Sequence, residues 1–127
     1  MLEPGPTAST EEEVTADRTA EAAGSGDVPV YGTPALLALV ERAAVAAVAD
    51  ALDPGTTSVG VRIDLDHEAP TPIGGRVTAT ATLESVEGRR LRFSVIATDA
   101  GGRVARATHD RVIVDRDRFV DSAARRR

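Results

Sequence analysis

From Pro34 to about Leu52 the chain is apolar on almost every side, predicting a helix over that span. Ala35, Leu36, Leu37, Ala38, Leu39 and Val40 precede an unbroken Ala43-to-Ala49 run, with Glu41 and Arg42 the interruption. A helix apolar all round is a buried one. Thr33-Pro34 is a strong start, because Thr can cap free backbone amides and Pro in the first turn gives up a donor that had no partner. Asp53-Pro54-Gly55 is an equally strong stop. Beyond it the period changes to strict alternation. Val59, Val61, Ile63 and Leu65 alternate with Ser58, Gly60, Arg62 and Asp64, predicting a strand with the first four on the core. Val77, Ala79, Ala81 and Leu83 alternate with threonines in a second strand, and Leu91, Phe93, Val95 and Ala97 mark a third. Turns at Glu87-Gly88 and Asp99-Ala100-Gly101-Gly102 lead on to a fourth, from about Arg103 to Asp115. Ahead of the long helix, Thr15 as N-cap and Asp17 in the first turn predict a short helix ending near Gly24-Ser25-Gly26.

A short helix, a long buried helix and consecutive strands joined by tight turns imply an α+β domain, an antiparallel sheet wrapped around one helix. That is the hot-dog plan. A single sheet covers one side of its helix, and pairing of two copies buries the rest, so a homodimer is expected. Residues 1–10, rich in Pro, Gly, Ser and Thr, read as a flexible arm. The domain then spans 11–120, and 121–127, ending Arg125-Arg126-Arg127, reads as a flexible tail.

Composition narrows the function. A chain of 127 residues with 42% hydrophobic content can bury one core without disulfides or metal. A formal charge of -5 and 2% aromatic residues argue against nucleic-acid binding, which draws on positive charge and stacking platforms. All 15 basic residues are Arg, a pattern that fits GC-rich codon usage. The absence of Cys excludes a thiol nucleophile and Cys-containing zinc sites. The amino-terminal segment lacks the basic start and apolar stretch of a signal peptide, and no apolar run reaches a membrane span. The reading is cytoplasmic, with no membrane partner.

Two residues are odd where they stand. Glu41 places a carboxylate in an apolar helix, where an unpaired charge is costly; its structural explanation is an ion pair or a wet stripe. His67 continues the inward parity of its strand and is followed by Glu68-Ala69-Pro70-Thr71-Pro72-Ile73-Gly74-Gly75, a rigid loop of the kind that aims side chains. Thr33 is explained as a helix cap, although a buried helix N-terminus also offers amides to an oxyanion. Gly60 inside a strand marks a bulge or a close approach by another group. His109 and Arg111 in Thr108-His109-Asp110-Arg111 read as a surface charge ladder. No Walker loop, Gly-x-Ser-x-Gly elbow or His-based metal motif is present, so neither metal nor cofactor is expected.

Together these segments resemble a known family. Gly24-Ser25-Gly26-Asp27-Val28-Pro29-Val30-Tyr31-Gly32-Thr33-Pro34, Glu41, Thr57-Ser58-Val59-Gly60, His67-Glu68-Ala69-Pro70-Thr71-Pro72, Val86-Glu87-Gly88-Arg89-Arg90-Leu91 and His109-Asp110-Arg111 are similar in order and spacing to the fluoroacetyl-CoA thioesterase-like branch of the hot-dog superfamily. The resemblance implies a homodimeric acyl-CoA thioesterase, without metal, that works through Thr33, Glu41 and His67, with Gly60 and Arg111 beside the substrate. It also implies phenylalanines lidding the acyl pocket before the Thr. Gly24 to Val30 contains no aromatic residue, so hydrolysis of acyl-CoA without fluoroacetyl specificity is the expectation. A non-catalytic acyl-CoA-binding module and a hydratase are the competing readings. Arg89, Arg90, Arg92 and Arg111 are candidates for the CoA phosphates.

Overall fold

A computed structural model describes residues 2–127. Five strands form one antiparallel sheet: β1 (Thr7–Glu13), β2 (Thr56–His67), β3 (Arg76–Glu87), β4 (Arg90–Asp99) and β5 (Gly102–Asp115), in the order β1-β3-β4-β5-β2. Three helices accompany them: α1 (Ala20–Ala23), α2 (Thr33–Val48) and α3 (Arg116–Ala124).

The alternation predicted for β3 and β4 is realised. Val77, Ala79, Ala81 and Leu83 pack with Leu91, Phe93, Val95 and Ala97 against Leu36, Leu39, Val40, Ala43, Ala44 and Val48 of α2. The outer sheet face carries the intervening threonines, as suits an antiparallel sheet with one wet side. The sheet thus curves around α2 in the expected hot-dog arrangement.

Four expectations are corrected. First, Thr7 to Thr10, read as part of a flexible arm, belong to β1, a fifth strand that pairs with β3 from Thr7↔Thr82 to Glu13↔Arg76. Second, Asp121 to Ala124, read as tail, continue α3, whose Asp115 cap accepts a hydrogen bond from the Arg118 amide at 3.1 Å. Third, the short helix before the glycines is broken at Thr19, which caps α1 by accepting from Ala22 N at 3.1 Å, with one 3₁₀ turn at Ala16–Arg18 before it. Fourth, α2 is not buried on every side of a single chain. Pro34, Ala38, Arg42, Val45 and Ala46 form an open stripe along it.

A bulge changes the reading of β2. Gly60 lies opposite Arg111 and Arg62 opposite Asp110, so Val61 is an extra residue with no partner on β5. Cross-strand neighbours share a face. Ile63, Leu65 and His67, opposite His109, Ala107 and Ala105, therefore face α2, as expected. Val59 pairs with Val112 on the outer face, and Val61 is 49% exposed. The inserted residue reverses parity and puts Ser58 and Gly60 inward in place of Val59.

Candidate functional site

Helix α2 carries two of the expected residues, and the sequence around each explains its setting. Gly32, rather than Thr33, is the N-cap. A Cβ at Gly32 would lie 2.9 Å from the Ala20 amide nitrogen, so only Gly lets the chain enter the helix this close to α1. Thr33, the first helical residue, is freed from capping, and its Oγ1 lies 2.8 Å from His67 Nδ1 at the end of β2. His67 Nε2 is buried and has no hydrogen-bond partner among the described residues. An unsatisfied buried nitrogen costs about 1–3 kcal/mol. Burial holds the imidazole below its ordinary pKa, with the nearby Ala69 backbone acting the other way, so the ring is neutral near pH 7. If Thr33 donates to Nδ1, Nε2 carries the hydrogen; if His67 donates, Nε2 offers a lone pair.

Two turns further along α2, Glu41 sits on the open stripe with 39% of its side chain exposed, and its Oε2 accepts from Arg111 Nη1 at 3.1 Å. Arg42, the alternative partner within the helix, instead reaches Glu12 at 2.7 Å. Arg111 is 6% exposed and fully engaged. Its Nε donates to Ser58 Oγ at 2.8 Å, its Nη2 to the Ser58 carbonyl at 3.0 Å, and its Nη1 also meets His109 Nε2 at 3.1 Å. His109 Nε2 is 3.9 Å from Glu41 Oε2. Gly60 completes this group by its missing side chain, since a Cβ there would stand 2.6 Å from Glu41 Oε2 and 3.2 Å from His109 Cε1. Both sequence readings of Gly60, a bulge and a close approach, hold at once.

The charge ladder expected at Thr108 to Arg111 is split between two faces. His109 and Arg111 point inward, 2% and 6% exposed. Asp110 points outward, where Arg90 and Arg92 cover it with bonds of 2.8 Å each and hold its carboxyl well below the usual carboxylate range. Arg90 and Arg92 are thus each bonded to Asp110, and Arg111 to Glu41, while the two outer-face arginines stay about half-exposed. Ser58 and the inward His109 were missed in the sequence. The signal for His109 was present, because it continues the alternation of Ala105 and Ala107 on β5.

Within one chain these residues form two groups, Thr33 with His67, and Glu41 with Arg111, His109, Ser58 and Gly60. Glu41 borders two open grooves. One, of about 270 Å³, is lined by Leu37, Gly60, Val61, Ile63 and His109. The other, of about 570 Å³, runs past Ala38, Val45, Ala46 and Arg111. An opening of similar volume lies between the amino-terminal segment and the β3–β4 turn, but its ionisable lining is limited to Glu3, Asp53 and Arg89, with no paired acid and base.

The family model for the fluoroacetyl-CoA-specific thioesterase matches residues 14–117, a span that takes in both groups. The chain belongs to the fluoroacetyl-CoA-specific thioesterase family. A curated member, the fluoroacetyl-CoA thioesterase of Streptantibioticus cattleyicolor, is 42% identical over 90 residues, covering 71% of this chain and 65% of that relative, so the match spans just under two thirds of the relative's length. A solved structure of the fluoroacetyl-CoA thioesterase FlK superposes with a TM-score of 0.92 at 31% identity, over 100% of this chain and 98% of that one. A hot-dog-like protein from Thermanaerovibrio acidaminovorans superposes with a TM-score of 0.88 at 30% identity, over 97% and 91%. The resemblance read from the sequence and the hot-dog architecture are both confirmed. The curated relative and FlK are both named as thioesterases, enzymes that hydrolyse thioesters.

Proposed function

We propose that this chain hydrolyses acyl-CoA thioesters to a carboxylate and free CoA, using Glu41 together with the Thr33–His67 pair. The observation that carries the reading is the setting of Glu41. Its Oε2 is anchored by a buried guanidinium, while no bond to Oε1 is recorded among the described residues. A carboxylate held at one oxygen and open at the other suits a base or a nucleophile. In the reaction, water oxygen adds to the carbonyl carbon, the C–S bond breaks, and the leaving thiolate takes up a proton. Glu41 either draws the proton from water or attacks the carbonyl to give an anhydride that water opens. His67 moves the proton towards sulfur, and Thr33 with the amides of the first turn of α2 faces the developing oxyanion.

The two groups are brought together, in this reading, by a second copy of the chain. β2 is the edge of the sheet and twelve residues long. A long unprotected edge invites another strand. Exposed Val61 and Val45, at 49% and 44%, lie on the edge and on the open stripe of α2 beside it. Antiparallel pairing of two β2 strands about a two-fold axis at Asp64, with the bulged Val61 left out of the register, would set His67 of one copy opposite Gly60 of the other. Both face the helix side, so the Thr33–His67 pair of one copy would meet Glu41 of its partner. Gly60 and Arg111 act in this scheme by admitting and holding Glu41, more than by touching substrate.

Release of free thiol from a panel of short, branched and aryl acyl-CoAs tests the activity. Turnover is expected on several of them, and Glu41→Gln is expected to lower kcat by about 100-fold or more. Binding of the same compounds with no turnover would establish the acyl-CoA-binding module instead. Since Gly24 to Val30 offers no aromatic lid, fluoroacetyl-CoA is expected to gain less than about 10-fold in kcat/KM over acetyl-CoA, the scale on which a simple apolar pocket separates near-isosteres.

A further inference from the structure

His109 is buried and belongs to none of the three residues assigned to the chemistry. Both of its ring nitrogens are engaged. Nδ1 lies 2.8 Å from the carbonyl oxygen of Arg62, and Nε2 lies 3.1 Å from Arg111 Nη1. A carbonyl can only accept and a guanidinium can only donate. The ring must therefore carry its hydrogen on Nδ1 and keep a lone pair on Nε2. Arg62 belongs to the bulge, one residue beyond the unpaired Val61. The bulge thus serves twice: it turns Gly60 towards Glu41, and it presents the carbonyl that fixes the tautomer of His109.

We propose that His109 is a positioning residue: locked as the Nδ1–H tautomer by the Arg62 carbonyl of the β2 bulge, it aims the Arg111 guanidinium, and through it the Glu41 carboxylate, at the thioester. Ser58 holds Nε and Nη2 of Arg111, which leaves Nη1 as the donor that reaches Glu41, and Nη1 is the nitrogen that His109 touches. Without the Nε2 acceptor, the Nη1 hydrogen that meets it loses its partner. The guanidinium can then turn away from Glu41. Protonation of His109 has the same effect, since it places an N–H against Nη1. Burial, first, and the charge of Arg111 keep the ring neutral by lowering its pKa. The proposal rests on Glu41 as the working carboxylate.

Its test combines spectroscopy of the unaltered protein with two substitutions. Long-range nitrogen NMR of the imidazole near pH 7.5 should show His109 as Nδ1–H; an Nε2–H tautomer overturns the proposal whatever the enzyme hydrolyses. In His109→Asn the amide takes the place of Nδ1 and keeps the bond to Arg62, whereas in His109→Gln the carbonyl takes the place of Nε2 and keeps the acceptor for Arg111. On the best acyl-CoA of the panel, His109→Asn should lose about 10- to 100-fold in kcat with KM changed less than about threefold, the usual scale for losing a partner that orients a reacting group. His109→Gln should recover most of that loss. If Asn matches the wild type, or if the two variants fall equally, His109 supports the bulge and does not position Arg111. Glu41→Gln measured alongside separates the two ideas: full activity there removes Glu41 from the mechanism, while the tautomer still decides whether His109 bonds to Arg111.

Discussion

At the scale of the residue, Gly60 is the position where the least chemistry has the largest consequence. A methyl group there would overlap the Glu41 carboxylate at 2.6 Å, and Glu41, half-exposed, is the group that can move. Gly60→Ala should therefore fold with little change in thermal midpoint but lose about 10- to 100-fold in kcat, since small misplacements of a reacting group cost that much. Thiol release against a thermal melt checks this, and a wild-type kcat would show that Glu41 does not work from its observed position. The histidines give a second expectation. Burial holds His67 and His109 below their ordinary value, so the unfolded chain binds protons first as pH falls through about 6.5. Stability that is complete above that value is lost as pH falls towards and through the lower native values. The thermal midpoint should drop between about pH 7.5 and 5.5 in the wild type, and less steeply in His109→Gln; equal slopes would contradict this reading of His109. Glu41 and His67 were legible in the sequence because each breaks the polarity of its element. Thr33 was legible as a helix start, but its hydroxyl's partner was not, because His67 is remote in sequence and joined to it by the sheet's closure.

At the scale of the element, the bulge in β2 was the feature that alternation hid. Val59, Val61, Ile63 and Leu65 form an unbroken alternating series, and one inserted residue moves the first of them to the outer face. Only Gly60 hinted at it. β1 was invisible for a different reason. Its inward positions are Ala8, Thr10 and Glu12, half-buried at a sheet edge, so no apolar series marks it. The strand is held by its backbone pairing and by hydroxyl pairs such as Ser9 with Thr80 at 2.7 Å. Strands β3, β4 and β5 were readable because their inward residues are fully buried and apolar for most of their length. The cross-strand clamp of Asp110 by Arg90 and Arg92 is the outer-face counterpart of the inner group. Asp110 is 1% exposed but both arginines are about half-exposed, which weakens each bond. Asp110→Asn should cost about 1–3 kcal/mol in urea denaturation, with KM unchanged if Arg90 and Arg92 do not hold CoA. A rise in KM would reassign those arginines to substrate.

At the scale of the whole molecule, a single chain exposes an apolar stripe on α2, an unpaired edge at β2 and a buried His67 nitrogen without a partner. In the proposed dimer, one second copy accounts for all three. Val61→Asp puts a charge on the shared edge and should yield monomers by sedimentation, with activity lost along with the dimer; an active monomer would end the two-chain reading. The most direct test mixes two inactive variants. Glu41→Gln and His67→Ala, each nearly inactive alone, should exchange subunits after mild denaturation and renaturation. If Glu41 of one copy works with Thr33 and His67 of the other, mixed dimers regain one intact site of two. With random pairing, thiol release should then recover to about a quarter of the wild-type rate. No recovery, with mixed dimers shown to have formed, would mean that the two groups do not meet across the dimer and that the proposed site is wrong.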